Sequence, residues 1–260
     1  MGELMGKNLI VWLAVLGSVS IPAARTAQSP HVVLMIGEDE YHTWETLPEF
    51  AERDLRPRGY RVTIVNQDAA DKNNFPGLVD ALRTADLLVL SVRRRTPPTE
   101  QLDAVRAHLA AGKPLVGIRT ACHAFALRPS DPPAGAAHST WQDFDPQVLG
   151  GHYTNHHAEG PPTAVTVAPG GGMHPILKDV SVARLVGAGS LYKVSPLEKG
   201  TTALLMGAIP GQPGEPVAWT HLYGAKHALV FYTSLGHPND FKNAEFRRLL
   251  GNAVAWALGK

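Results

Sequence analysis

Lys113-Pro114-Leu115-Val116-Gly117-Ile118-Arg119-Thr120-Ala121-Cys122-His123 runs a continuous apolar segment straight into what reads as a helix start. A buried strand that turns sharply into a helix projects its turn residue at the carboxyl edge of a parallel sheet, where α/β folds do their chemistry. A Cys or Ser at such an elbow, with His and an acid elsewhere, would read as a nucleophile. Here the residue two after Gly117 is Arg119, and the single cysteine, Cys122, lies three positions further on. The architecture of a nucleophile elbow is therefore expected without an obvious nucleophile.

Strands alternate with helices on the N-terminal side of this elbow. His31 to Gly37 is an apolar run ended by glycine, the pattern of a strand buried on both faces. Thr46 to Arg58 predicts a helix stopped by Gly59, and Arg61 to Val65 the next strand. Phe75 to Leu82 reads as a short helix and Asp86 to Ser91 as a third strand. Thr99 to Ala111 follows as a helix, with Thr99 placed to cap it and Gly112 to end it. Pro114 to Ile118 is the fourth strand. This alternation specifies an α/β fold with a parallel sheet covered on both sides.

Beyond the elbow, residues 128 to 162 are rich in Pro, Gly, His and Asp, a long loop region with room for one short helix. Strands return at 163–167, near 185–186, and at 191–194, 203–206, 217–220 and 228–233. Their short spacing predicts antiparallel additions to the sheet edge. Phe241 to Leu258 closes the chain as an amphipathic helix, and no internal repeat interrupts a single domain over 28–260.

The chain has 260 residues, 44% of them apolar, with a formal net charge of +1. That supports a sizeable core and gives no reason to expect nucleic acid. Residues 1–27 differ: Lys7 precedes the apolar run Leu9 to Leu16, then small residues and Pro22-Ala23-Ala24, which resembles a secretory signal. A periplasmic or secreted protein is expected, touching the membrane only through the leader if it stays uncleaved. One cysteine cannot form an internal disulfide, so packing alone must hold the fold.

Polar residues cluster after the predicted strand ends: Glu38, Tyr41 and His42 after the first, Arg93 and Arg94 after the third, Arg119, Thr120 and His123 after the fourth. The carboxyl ends of adjacent strands line one crevice in an open parallel sheet, so these groups are expected to meet. Loop segments add His152 and His156, and His237 and Asp240 follow the last long strand. One reading is a pocket for a neutral sugar or polyol, with Glu38, a histidine or Asp240 as general acid or base. A second is a divalent metal such as zinc, although no His-Glu-x-x-His or paired-Cys motif supplies diagnostic spacing. A third is structural, and for His138, His174, His221 and His227 taken singly it is preferred. Cys122 reads as a small packed hydrophobe. The tryptophans read mostly as core, with Trp44 and Trp141 in contexts where a ring could stack on a sugar.

Several segments together resemble the ThuA-like family. They are Ser91 to Pro97, Gly117 to Phe125, Leu149 to Tyr153 with His156-His157, His174-Pro175-Ile176, Leu191 to Val194, Pro216 to Thr220 and Phe231 to Phe241. The resemblance runs in order over residues 31–260. It implies a flavodoxin-like three-layer sandwich similar to class I glutamine amidotransferases, mostly parallel, without the amidotransferase cysteine; Arg119 at the elbow agrees with that loss. It also implies carbohydrate catabolism, and the polar pattern it carries over comprises His42, Arg93, Arg94, Arg119, Thr120, His123, His152, His156 and His237. Relatives often carry Ser where Cys122 stands, and Glu where Ser190 stands.

The expected function is action on a sugar or 3-keto-glycoside by hydrolysis, elimination or isomerisation. Glu38, His42, Arg119, His123, His152 and His237 are the candidate catalytic residues. Tyr41, Arg93, Arg94, Thr120, His156 and Asp240 are the candidate binding residues. Arg119, His152 and His237 are expected to share one cavity, and a small-molecule carbohydrate is the expected partner. A noncatalytic carbohydrate-binding module is the alternative; a bound zinc and a homodimer stay open.

Overall fold

The computed structural model describes residues 1–2 and 29–260; the leader expected over 1–27 lies almost wholly outside them. Strand β1, His31–Gly37, shows how alternation builds the layers. Val32, Leu34 and Ile36 enter one core cluster, and Val33 and Met35 enter another. Successive side chains of a strand point to opposite faces, so a fully apolar strand must be covered twice. The last residue of β1, Gly37, lacks a side chain because a Cβ there would meet the Phe75 ring at 2.5 Å.

Helix α1, Thr43–Phe50, continues through a wider turn at Ala51–Leu55 and a tight one at Arg56–Arg58, and stops at Gly59 with φ +84°. It begins three residues before the expected start. Strand β2 is Arg61–Asn66 and α2 is Leu78–Thr84, later than the 75–82 expected. Strand β3 is Leu87–Val92, and α3 is Thr99–Ala110. Thr99 does not cap α3: its hydroxyl bonds the Ala137 carbonyl and Ser139, and Pro98 holds the cap position.

Strand β4, Leu115–Ile118, then meets the elbow. Ile118 is extended, and Arg119 sits in the left-handed region at φ 44°. The expected helix start is instead one 3-10 turn, Arg119–His123. After it come β5 (Asn155–His156), β6 (Thr163–Val167), β7 (Val186–Gly187), β8 (Tyr192–Lys193), β9 (Thr202–Ala208), β10 (Glu215–Tyr223) and β11 (Ala228–Thr233). The last expected helix is two, α4 (Pro238–Lys242) and α5 (Ala244–Ala257), broken at Asn243, whose side chain caps α5.

Nine strands form one sheet in the order β2-β1-β3-β4-β11-β10-β9-β6-β7. From β2 to β11 neighbours pair in parallel, and from β11 to β7 they pair antiparallel. The antiparallel additions are as expected, but β11 completes the parallel centre, pairing Tyr232 with Gly117. The 191–194 segment is not part of that sheet: β8 pairs with β5 in a separate ladder that sets Tyr192 opposite His156. Leu47, Phe50 and Leu249 pack one face of the main sheet, and Leu82, Leu102 and Val105 the other. The result is a flavodoxin-like three-layer sandwich. Among the described residues no helix is long and apolar enough to cross a membrane.

Candidate functional site

The carboxyl ends of β1, β3 and β4 converge as open-sheet topology requires. Three successive backbone N–H groups tie the loop after β3 to its neighbours: Arg93 donates to Gly37, Arg94 to the His123 carbonyl and Arg95 to that of Ala124. The small β5–β8 ladder lies across these ends. Between them is a hollow of about 290 Å³ lined by Tyr41, Arg93, Arg94, His123, His156, Asn155 and Tyr192 and, from the loops, by Glu40, Arg128, Tyr153 and Thr154. A second hollow of about 430 Å³, toward Lys72 and His138, shares the wall of Arg93, Arg94 and Arg128.

His123 is buried on the inner wall, its ring 4.7 Å from that of Tyr153. Its Nδ1 lies 3.1 Å from Cys122 Sγ, and no protein partner is described for Nε2. Burial holds the imidazole well below the usual histidine pKa, and the nearby Arg94, Arg93, Arg119 and Arg128 push it further down, so it is neutral. Burial, and then Asp145, pushes the Cys122 thiol well up, so it is not a thiolate. That thiol also donates to the Arg119 carbonyl at 3.3 Å. With its one proton spent there, sulfur can accept from Nδ1–H, which leaves the Nε2 lone pair for the hollow.

The aromatic walls are phenols that keep their protons. Burial raises Tyr153 to about 12 and lifts Tyr192 well above the ordinary tyrosine value. Half-buried Tyr153 therefore offers a ring and a hydroxyl, the combination that binds a polyol ring, while Tyr192 backs the hollow with its ring packed on Arg119.

Other expected members of the site are elsewhere. The Glu38 carboxylate accepts from the backbone of Glu40, Tyr41 and Thr43 and from the Thr43 hydroxyl, at 2.6–2.7 Å. It organises the start of α1 and does not line the hollow. His42 is exposed, stacked on Trp44 and 3.6 Å from Glu45. His152 is exposed and lines neither hollow. His237 caps α4, its Nδ1 accepting from the Asn239 backbone, with its ring 6.2 Å from Tyr41. Asp240 accepts from the backbone of Ala188, Gly236 and His237. Thr120 is buried with its hydroxyl unpartnered. Arg119 does not reach the hollow, because Tyr41 and Tyr192 sandwich its guanidinium at 4.1 and 4.6 Å. Arg119, His152 and His237 thus line neither hollow, contrary to the expectation that they gather there, and the gathered set is Tyr41, Arg93, Arg94, His123 and His156.

Glu40, Arg128, Tyr153, Asn155 and Tyr192 were not singled out from sequence. Tyr153 and Tyr192 stand inside segments that carry the family resemblance, which is the signal that marks them. Trp44 is away from this hollow, and Trp141 packs on Phe144 and under Arg106. Among the described residues no group of three or more His, Cys, Asp or Glu is placed to hold a metal ion.

A family model described as ThuA, trehalose utilisation, matches residues 32–257. A ThuA-like protein from Bacteroides uniformis is similar in fold, with a TM-score of 0.64 and 18% identity over 90% of this chain and 94% of its own. One from Parabacteroides merdae gives 0.59 and 16% over 89% and 91%. A cold-adapted β-galactosidase from Rahnella sp. R3 gives 0.55 and 14%, over 88% of this chain and 31% of its own. No curated protein matches. With the family model spanning the sandwich from β1 to the end of α5, the chain belongs to the ThuA, trehalose utilisation, family.

Proposed function

We propose that the hollow binds a keto-sugar glycoside and that His123 takes a proton from the carbon beside its carbonyl. The observation that carries this is a neutral imidazole, its Nδ1 engaged by Cys122 and its Nε2 without a described protein partner, lining a chamber walled by arginines and protonated tyrosines. The family description supports a carbohydrate, and the leader sequence supports an exported protein.

In a 3-keto-glycoside the C2 proton is acidified by the adjacent carbonyl. His123 Nε2 accepts it; the C2–H electron pair becomes the C2–C3 double bond, and the carbonyl π pair moves onto O3 as an enolate. Arg93 or Arg128, on the same wall, supplies N–H donors to that oxygen. The charge added to the imidazole is matched by the charge developing on the enolate, which offsets the field of the arginines. Collapse of the enolate forms the C1–C2 double bond and breaks the C1–O bond, and the leaving oxygen takes the proton from imidazolium. Water added across the double bond gives the free keto sugar.

Purified protein incubated with 3-keto-disaccharides is expected to release monosaccharide, and His123→Gln to slow this by about 100-fold or more. Failure of a range of such substrates to turn over sinks the catalytic reading. Sugar affinity without turnover would leave a binding module.

A further inference from the structure

Arg94 differs from the cationic side chains around it. Arg93 pairs with Glu40 at 2.6 Å, and Arg128 with Asp131 at 3.2 Å. Arg95 and Lys72 share Asp39 at 2.6 and 3.0 Å. Among the described residues Arg94 has no carboxylate partner. Its Nη1 donates to the Ala126 carbonyl at 3.0 Å, and no protein partner is described for Nε or Nη2.

The backbone fixes where this cation sits. Arg94 is left-handed at φ 50°, a region an arginine seldom occupies, and its N–H is tied to the His123 carbonyl at 2.9 Å. Its side chain therefore stands on the wall common to both hollows, beside His123. Burial and then the like charges of Arg128 and Arg93 lower its pKa, so the fold crowds a half-buried cation without neutralising it. An incoming anion removes that penalty.

We infer that the sugar taken by this hollow bears a carboxylate, seated on the Nε and Nη2 edge of Arg94. This rests on the carbohydrate reading above. A guanidinium edge matches a planar carboxylate in two parallel hydrogen bonds. A doubly charged phosphate fits less well, because its second charge would face Glu40 and Asp131, already bound to Arg93 and Arg128. Asp71, which also lines the larger hollow, accepts from the Asn73 backbone through one oxygen.

Calorimetric titration of the full chain with D-glucose, D-glucuronate, D-glucose 6-phosphate and acetate tests this. D-glucuronate is expected to bind at least about tenfold tighter than D-glucose, the worth of one charge-assisted hydrogen bond. Added salt should erode that preference. Arg94→Asn, a residue type at home in the left-handed region, and Arg94→Gln should each bring the affinity ratio near one, with thermal melts confirming both variants folded. Equal affinity for D-glucose and D-glucuronate in the unmodified protein overturns the inference and leaves the carbohydrate reading standing. Tighter D-glucose 6-phosphate than D-glucuronate overturns the choice of carboxylate. Acetate binding as tightly as D-glucuronate, with no D-glucose signal, removes the sugar from both readings.

Discussion

The Arg119 guanidinium lies over the Tyr41 ring, 4.1 Å from its centroid, and its Nη2 donates to the Tyr41 hydroxyl at 3.1 Å. Tyr192 covers it from another side at 4.6 Å, and Nη1 donates to the Ser234 carbonyl at 2.7 Å. The elbow residue is thus a clamp that joins the turn after β1, strand β8 and the segment just after β11 behind the hollow.

Replacing that clamp should cost stability before it costs chemistry. An ammonium cannot lie flat against two rings while serving a carbonyl, so Arg119→Lys is not conservative. A loss of about 2–4 kcal/mol is expected, from buried hydrogen bonds and cation–π contact together. Urea denaturation measures it, and an unchanged midpoint would contradict the clamp. Sugar affinity should weaken too, since Tyr41 and Tyr192 wall the hollow.

Cys122 should matter as an acceptor and not as a nucleophile. Serine keeps a hydroxyl that can donate to the Arg119 carbonyl and accept from His123 Nδ1–H, so Cys122→Ser should hold turnover within a few-fold. Cys122→Ala strands Nδ1 and frees the tautomer, and about a tenfold loss of kcat is expected. If Cys122→Ser loses as much as His123→Gln, sulfur takes part in the chemistry directly.

The layers were legible because β1 and β3 are apolar at every position but His31 and Ser91, and such runs fit only a sheet covered on both faces. The meeting of Tyr41, Arg93, Arg94 and His123 followed from the same topology. Tyr192 was not legible as a wall. Its strand has two residues, and its partner His156 lies in a region without periodicity. Glu38 misled for a physical reason: a carboxylate after a strand end suits a base and a backbone anchor equally. Only the positions of four donors choose between the two. His152 misled likewise, since a glycine turn does not reveal which way the next side chain points.

Glu38 carries a prediction of its own. Glu38→Gln puts an amide nitrogen against donors that had faced a carboxylate oxygen, whichever way the amide turns. A destabilisation of about 1–3 kcal/mol is expected. Because Glu38 organises the turn carrying Tyr41, KM for the sugar should rise more than kcat falls. A kcat loss as large as that of His123→Gln, with KM unchanged, would restore Glu38 as a base.

Two buried groups should tilt stability against pH in opposite directions. Burial raises the Asp145 carboxyl from 3.8 to about 7, with Oδ1 unpartnered and Oδ2 accepting from Tyr153 N at 2.6 Å. The folded state holds that proton where the unfolded chain has lost it, so the Asp145 contribution is complete below about 3.8 and drains away as pH rises to about 7. Burial lowers His108 from 6.5 to about 4, so its contribution is complete above about 6.5 and is lost as pH falls toward 4. Asp145→Asn, which keeps an oxygen for Tyr153 N, should gain on the unmodified protein as pH climbs from 4 to 7. His108→Gln should gain as pH drops from 6.5 to 4. Each difference should reach on the order of 3 kcal/mol in urea titrations at the two ends of the window. A difference that stays flat with pH, for either variant, means that the group titrates alike folded and unfolded.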